Sequence, residues 1–135
     1  MSVSEFHKFI FEGMPVRGMI VRLDDAWLEV LKRRAVSSTG PYPPAVQQML
    51  GEMTAAAALM QGNIQFNGAL VLQIQGDGPV KLAVVEVQSD LRLRATVTLR
   101  GEVPQGAGFA DLVNRQGLGR CAITLDPLGR QPGQQ

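Results

Sequence analysis

The stretch Ala69 to Val87 reads ALVLQIQGDGPVKLAVVEV. Two apolar runs flank a Gly76-Asp77-Gly78-Pro79 break. In Val71 to Gln75 and in Val80 to Val87, apolar and polar residues partly alternate, the period-two signature of strands. Glycine reaches positive φ without steric penalty, and proline fixes φ and has no N–H to donate. The stretch therefore reads as strand, turn and strand, most simply an antiparallel hairpin. The other segments are expected to cover it.

The 135 residues are expected to form one domain. A chain of this length buries roughly two thirds of its unfolded surface, enough for a core without staples. Thirteen basic and twelve acidic residues leave a formal charge of +1, so there is no broad field for nucleic acid or an anionic membrane. The single cysteine, Cys121, excludes an internal disulfide and a multi-cysteine zinc site within these residues. It also fits a reducing cytosol. The N-terminus has an early acidic residue and lacks a long apolar run, so it does not read as a signal peptide. The apolar run near Thr54 to Met60 is too short to span a bilayer. A soluble cytoplasmic protein is expected, with neither nucleic acid nor membrane as a partner.

Around the hairpin, the pattern assigns most of the chain. Phe6 to Phe11, FHKFIF, fits a helical face through Phe6 and Phe9 and a strand face through Phe9 and Phe11, and both readings stand. Met14 to Leu23 reads as a strand with a bend or bulge at Gly18. Asp24 and Asp25 are expected to cap a helix whose buried stripe is Leu28, Leu31 and Val30, with Trp27 beside it. Lys32, Arg33 and Arg34 suit its C-terminal end.

Pro43 and Pro44 open a second helix to about Gln61, nearly apolar all round from Met53, hence enclosed on most sides. Gly62 and Asn63 should end it, and Ile64 to Phe66 reads as a short strand before an Asn67-Gly68 turn. Leu91, Leu93, Ala95, Val97 and Leu99 alternate with Arg92, Arg94, Thr96, Thr98 and Arg100, a half-solvated strand. Phe109 to Asn114 is a short helix, Arg120 to Leu125 a strand, and Asp126 to Gly129 a turn. The sum is an α+β domain with antiparallel or mixed sheets packed with a largely buried central helix.

No catalytic constellation emerges from spacing. A phosphate cradle at the Asp77 turn wants a helix N-terminus after the glycines, and a strand follows instead. The turn reads as structural. His7, the lone histidine, has no evident partner for base or metal chemistry. Cys121 lacks an activating second histidine and is read as buried and inert. Of the possible paired carboxylates, Asp24 and Asp25 already have a capping role, and no pattern brings Glu29, Glu52 and Asp77 together. Arg92, Arg94, Arg100 and Arg120 form a basic strand face, read as solvated edge protection. Met49, Met53 and Met60 read as core filler. The rival to a client-binding domain is a small-ligand enzyme or an anion-binding domain built on the Asp77 turn and the arginine strand.

Several fragments, taken in order, resemble the N-terminal core of the 33 kDa chaperonin family. They are Phe11-Glu12 with Val16-Arg17-Gly18, the helix ending near Leu59, and Phe66-Asn67-Gly68. Leu72-Gln73-Ile74-Gln75-Gly76-Asp77-Gly78-Pro79 with Leu82-Ala83-Val84 follows, then Gly101-Glu102-Val103-Pro104. The resemblance covers essentially the whole chain, which reads as a single truncated core domain over residues 1–135.

The resemblance implies an ATP-independent holdase that binds unfolding client proteins under oxidative or heat stress, and not an enzyme. It implies zinc held by four C-terminal cysteines in full-length members. Those cysteines are absent here, and no cofactor is expected in this chain. It also implies a homodimer, with strand exchange at an open sheet edge as one route. Phe6, Phe9, Phe11 and Phe109 are the candidates for apolar contact with clients, against a plainer reading as core.

Overall fold

The computed structural model describes residues 4–37, 40–64 and 67–127. The elements run β1 (Ser4–Ile10), β2 (Arg17–Leu23), α1 (Asp24–Ala35), α2 (Pro44–Ile64), β3 (Gly68–Gln75), β4 (Val80–Gln88), β5 (Leu93–Leu99), α3 (Phe109–Val113) and β6 (Arg120–Pro127). Strands β1 and β2 pair alone, and the other four form an antiparallel sheet in the order β5-β4-β3-β6. The expected α+β class holds, and every pairing is antiparallel.

The hairpin read from Ala69 to Val87 is β3–β4, with Ala69 opposite Gln88 and Gln75 opposite Leu82. Its glycines serve close approach rather than positive φ. The Gly76 amide donates to the Lys81 carbonyl at 3.0 Å. A Cβ on Gly78 would stand 2.7 Å from the Leu112 carbonyl oxygen and 2.8 Å from that of Asp111. Helix α3 thus seats its backbone directly on the turn.

One face of the sheet carries Leu70, Leu72 and Ile74 of β3 and Ala83, Val85 and Val87 of β4, all buried. Val97 of β5 joins them. Helix α2 lies across this face, centred on β4, and contributes Val46, Met49, Leu50, Met53 and Ala57. Its two buried polar side chains are bonded. Thr54 Oγ1 donates to the Leu50 carbonyl at 2.7 Å, and Gln61 Nε2 donates to the Gly68 carbonyl at 3.0 Å. The second bond ties the helix end to the start of β3.

The helix runs through Gly62 and Asn63, which were expected to end it. Gly62 has a packing role: the Phe6 ring occupies the place where its Cβ would stand. Gly51 likewise faces Trp27, whose ring comes within 3.2 Å of a built Cβ. These glycines lie eleven residues apart, three turns of helix, and so on one side. Through them α2 receives α1 and the β1–β2 hairpin. Ile64 is accordingly helical, not strand, and residues 65–66 lie outside the described residues.

Other expectations are corrected. Asp24 and Asp25 lie in the first turn of α1, and the capping position is Leu23, with no side-chain cap. Asp24 instead accepts from Arg22 Nε at 2.8 Å. Leu28 is exposed and no residue of α1 is fully buried, because the helix touches the body mainly through Trp27. The strand expected from Met14 starts at Arg17 and pairs with β1 without a bulge. Asp126 and Pro127 continue β6 rather than turning. Residues 128–129 lie outside the described residues.

Tyr42 and Arg34 close the loop between α1 and α2. The guanidinium stacks 4.1 Å from the Tyr42 ring centroid. The buried Tyr42 hydroxyl accepts the Val97 amide of β5 at 2.9 Å. Replacing Tyr42 by Phe strands that amide, and a loss of about 1–3 kcal/mol is expected in urea unfolding. Gly78→Ala forces a methyl against two carbonyl oxygens and is expected to cost about 1–3 kcal/mol by the same measurement.

Candidate functional site

Strand β1 sets the candidate residues in place. In the β1–β2 register Phe6 faces Val21, Lys8 faces Met19 and Ile10 faces Arg17 on one side of the hairpin. Glu5 faces Arg22, His7 faces Ile20 and Phe9 faces Gly18 on the other. Phe6 is half-buried against Gly62 and belongs to the packing of α2. Phe9 lays its ring across Gly18, which has no side chain to displace it. The ring of Phe11 meets that of Phe9 edge-on, centroids 5.7 Å apart at 81°.

Phe9 is 40% exposed and Phe11 50%. Around them Ile10, Met14, Val16 and Ile20 are also exposed, a cluster of large apolar side chains on one small hairpin. Sequence reasoning found the phenylalanines and missed these four. The pairing that brings Ile20 and Val16 back beside β1 carries no local signal. Two clefts of about 400 and 390 Å³ border the hairpin on either side of Lys8. One is lined by Phe6, Gln61 and Leu91, the other by Phe9, Gly18 and Asn63.

Phe109 is 48% exposed but stands elsewhere. It opens α3, which sits on the β3–β4 turn, whereas Phe6 sits by Gly62, where α2 meets the start of β3. The length of the sheet separates them, so the four phenylalanines do not form one surface.

The two parts of the rival site are not brought together: Arg92 and Arg94 line a cleft of about 230 Å³ with Glu86 and Gln88, and Asp77 is not part of it. Asp77 Oδ2 accepts the amides of Leu118 at 2.8 Å and Gln116 at 3.0 Å. Leu118 above all, then Gln116, holds the carboxyl below its ordinary range, against a desolvation that pushes it up. Asn114 Oδ1 accepts the Gly119 amide at 2.9 Å. The turn is therefore a clamp on the loop that delivers β6 to β3. Arg92 pairs with Asp90 at 2.7 Å, and Arg94 lies 3.6 Å from Glu86. His7 is exposed and paired with Glu5 at 3.0 Å. Cys121, expected to be buried, is exposed on β6 because α2 does not reach that strand. Among the described residues no three His, Cys, Asp or Glu side chains group as a metal site. With a single cysteine, the residues present do not fit the zinc centre that the resemblance implies.

The described residues thus form an α+β core that presents an exposed apolar hairpin. The model of the Hsp33 protein family matches residues 4–135. The 33 kDa chaperonin of Chromobacterium violaceum is 45% identical over 123 residues, covering 91% of this chain and 39% of that protein. That of Methylobacillus flagellatus is 45% identical over 137 residues, covering 99% and 43%. That of Neisseria meningitidis serogroup A is 36% identical over 129 residues, covering 94% and 40%. The chain belongs to the Hsp33 protein family. It spans about two fifths of the length of these curated relatives.

The Asp77 clamp has a pH signature. A lowered carboxylate pKa stabilises the fold fully above the ordinary value of 3.8, and the contribution is lost as the pH falls through the folded-state value. Asp77→Ala is expected to be less stable than the parent at neutral pH. That gap should narrow as urea unfolding is repeated below pH 3.8.

Proposed function

We propose that this chain is the core of an ATP-independent holdase chaperone. It holds unfolding client proteins through apolar contact, without chemistry. The observation that carries the reading is the exposed group Phe9, Phe11, Val16 and Ile20 on one side of a hairpin of a chain in this family. Contiguous exposed apolar side chains mark interaction surfaces in soluble proteins. Of the four phenylalanines, Phe9 and Phe11 are the client contacts, Phe6 supports them from beneath, and Phe109 is a separate contact. The setting is a cytoplasmic stress response, and the acting species is a homodimer. Among the described residues no helix is long and apolar enough to cross a membrane. The zinc switch of longer family members is not carried by these residues.

The test is light scattering from a thermally unfolding client, without nucleotide. This chain is expected to suppress aggregation. A Phe9→Ser, Phe11→Ser, Ile20→Ser variant should need about tenfold more protein for the same suppression. Its circular dichroism should be unchanged, because none of the three side chains belongs to the buried core. Phe109→Ser alone should have a smaller effect. No suppression by this chain or by a version extended through a cysteine-bearing segment overturns the reading. Suppression by the extended version alone makes this chain a scaffold without independent activity.

A further inference from the structure

The two sides of the β1–β2 hairpin are unlike. Successive side chains of a strand point to opposite faces. Phe9, Phe11, Val16 and Ile20 form the apolar side. The other side carries Phe6, Lys8 and Ile10 of β1 and Val21, Met19 and Arg17 of β2. Its inner end rests on α2, with the Phe6 ring at Gly62. Between its outer end and the last turn of α2 lies the cleft of about 390 Å³. Lys8, Phe9, Ile10, Arg17 and Met19 line it from the hairpin, and Asn63 from the helix. This volume is at the low end of the range for ligand sites, roughly 300–1,000 Å³, so it admits one or two side chains and not a folded partner.

The cleft is apolar in its walls and cationic in its charge. Lys8 stands opposite Met19 and Arg17 opposite Ile10, so the two cations are diagonal neighbours whose bases are roughly 7–8 Å apart. Like charges so placed repel, and a carboxylate between them relieves the repulsion. Among the described residues none is supplied. The ion pairs of the hairpin join Glu5 to His7 and Arg22 to Asp24, and no carboxylate pairs with Lys8 or Arg17. Glu12, the other carboxylate of the hairpin, lies in the turn and does not line the cleft. The C-terminal end of α2 adds about half a negative charge, which two full cations outweigh. The cleft is therefore complementary to a carboxylate held beside an apolar group.

We infer that this cleft selects among clients: it takes an exposed segment in which an aspartate or glutamate neighbours a side chain the size of leucine or phenylalanine. The carboxylate sits between Lys8 and Arg17, and the apolar group against Phe9, Ile10 and Met19. On the reading of the chain as a holdase, which this assignment presupposes, the apolar side of the hairpin grips any apolar stretch, and the cleft adds a preference for acidic ones.

The test is fluorescence anisotropy of a short labelled peptide with leucine and phenylalanine between two aspartates, beside versions with asparagines or lysines in place of the aspartates. The parent chain should bind the aspartate peptide about fivefold more tightly than the asparagine peptide, and the lysine peptide most weakly. Added salt should shrink the gap. Lys8→Gln, Arg17→Gln should bind the aspartate and asparagine peptides alike, and Lys8→Glu, Arg17→Glu should turn the order in favour of lysine. Both positions are exposed, and circular dichroism checks that each variant is folded. The peptide series on the parent needs no variant. Equal binding of the aspartate and asparagine peptides by the parent overturns the inference and leaves the holdase reading in place. A preference that survives Lys8→Gln, Arg17→Gln overturns the site. No binding of any peptide, with client aggregation still suppressed, overturns the cleft alone. No binding and no suppression overturn both.

Discussion

Helix α2 has to be packed on two sides, and the architecture follows from that constraint. Its broad apolar stripe through Val46, Leu50, Met53 and Ala57 is buried on the sheet. Its small-residue side, at Gly51 and Gly62, admits the rings of Trp27 and Phe6 to the helix backbone. An isolated helix of this composition is insoluble, and an isolated sheet exposes its apolar face. Each element is the solvent-excluding cover of another. The hairpin that carries the exposed phenylalanines is held to the body by this second side, through a ring that only glycine accommodates.

What was legible in the sequence were the features with a local period. The β3–β4 hairpin, the alternation of β5 and the two-proline start of α2 are each encoded within a few neighbouring residues. Reversals came where a residue answers to a distant partner. Gly62 has the signature of a helix end, yet serves as a seat for Phe6 more than fifty residues away. Gly18 reads as a bulge and instead lies beneath Phe9. Leu28 and Cys121 have apolar character but sit where the covering layer stops short.

The candidate site was legible in part for the same reason. Aromatic enrichment marks Phe6, Phe9, Phe11 and Phe109 without saying which share a surface. Strand register decides that, and it is not a local property. The register joins Phe9 and Phe11 to Ile20 and Val16, buries much of Phe6 and sends Phe109 to the other end of the sheet. The Asp77 turn is legible as structural from its turn chemistry, and its clamp on the loop before β6 is the physical reason. Asp77 Oδ2 already accepts two amides, and Arg92 and Arg94 have acidic neighbours of their own.

The order of strands also sets an order in time. Strand β3 meets β4 across a turn of a few residues, so this pair closes at little entropic expense. Its other neighbour, β6, comes from 45 to 59 residues further along the chain, at Arg120 opposite Gln75 and Pro127 opposite Gly68. During synthesis the central strand of the sheet therefore stands half-paired while α3 and its loops are still being made. Contacts of such long sequence separation slow folding and leave strand edges open to wrong partners. A protein of a chaperone family thus passes through a stage in which its own nascent sheet has the exposed edge that chaperones exist to shield.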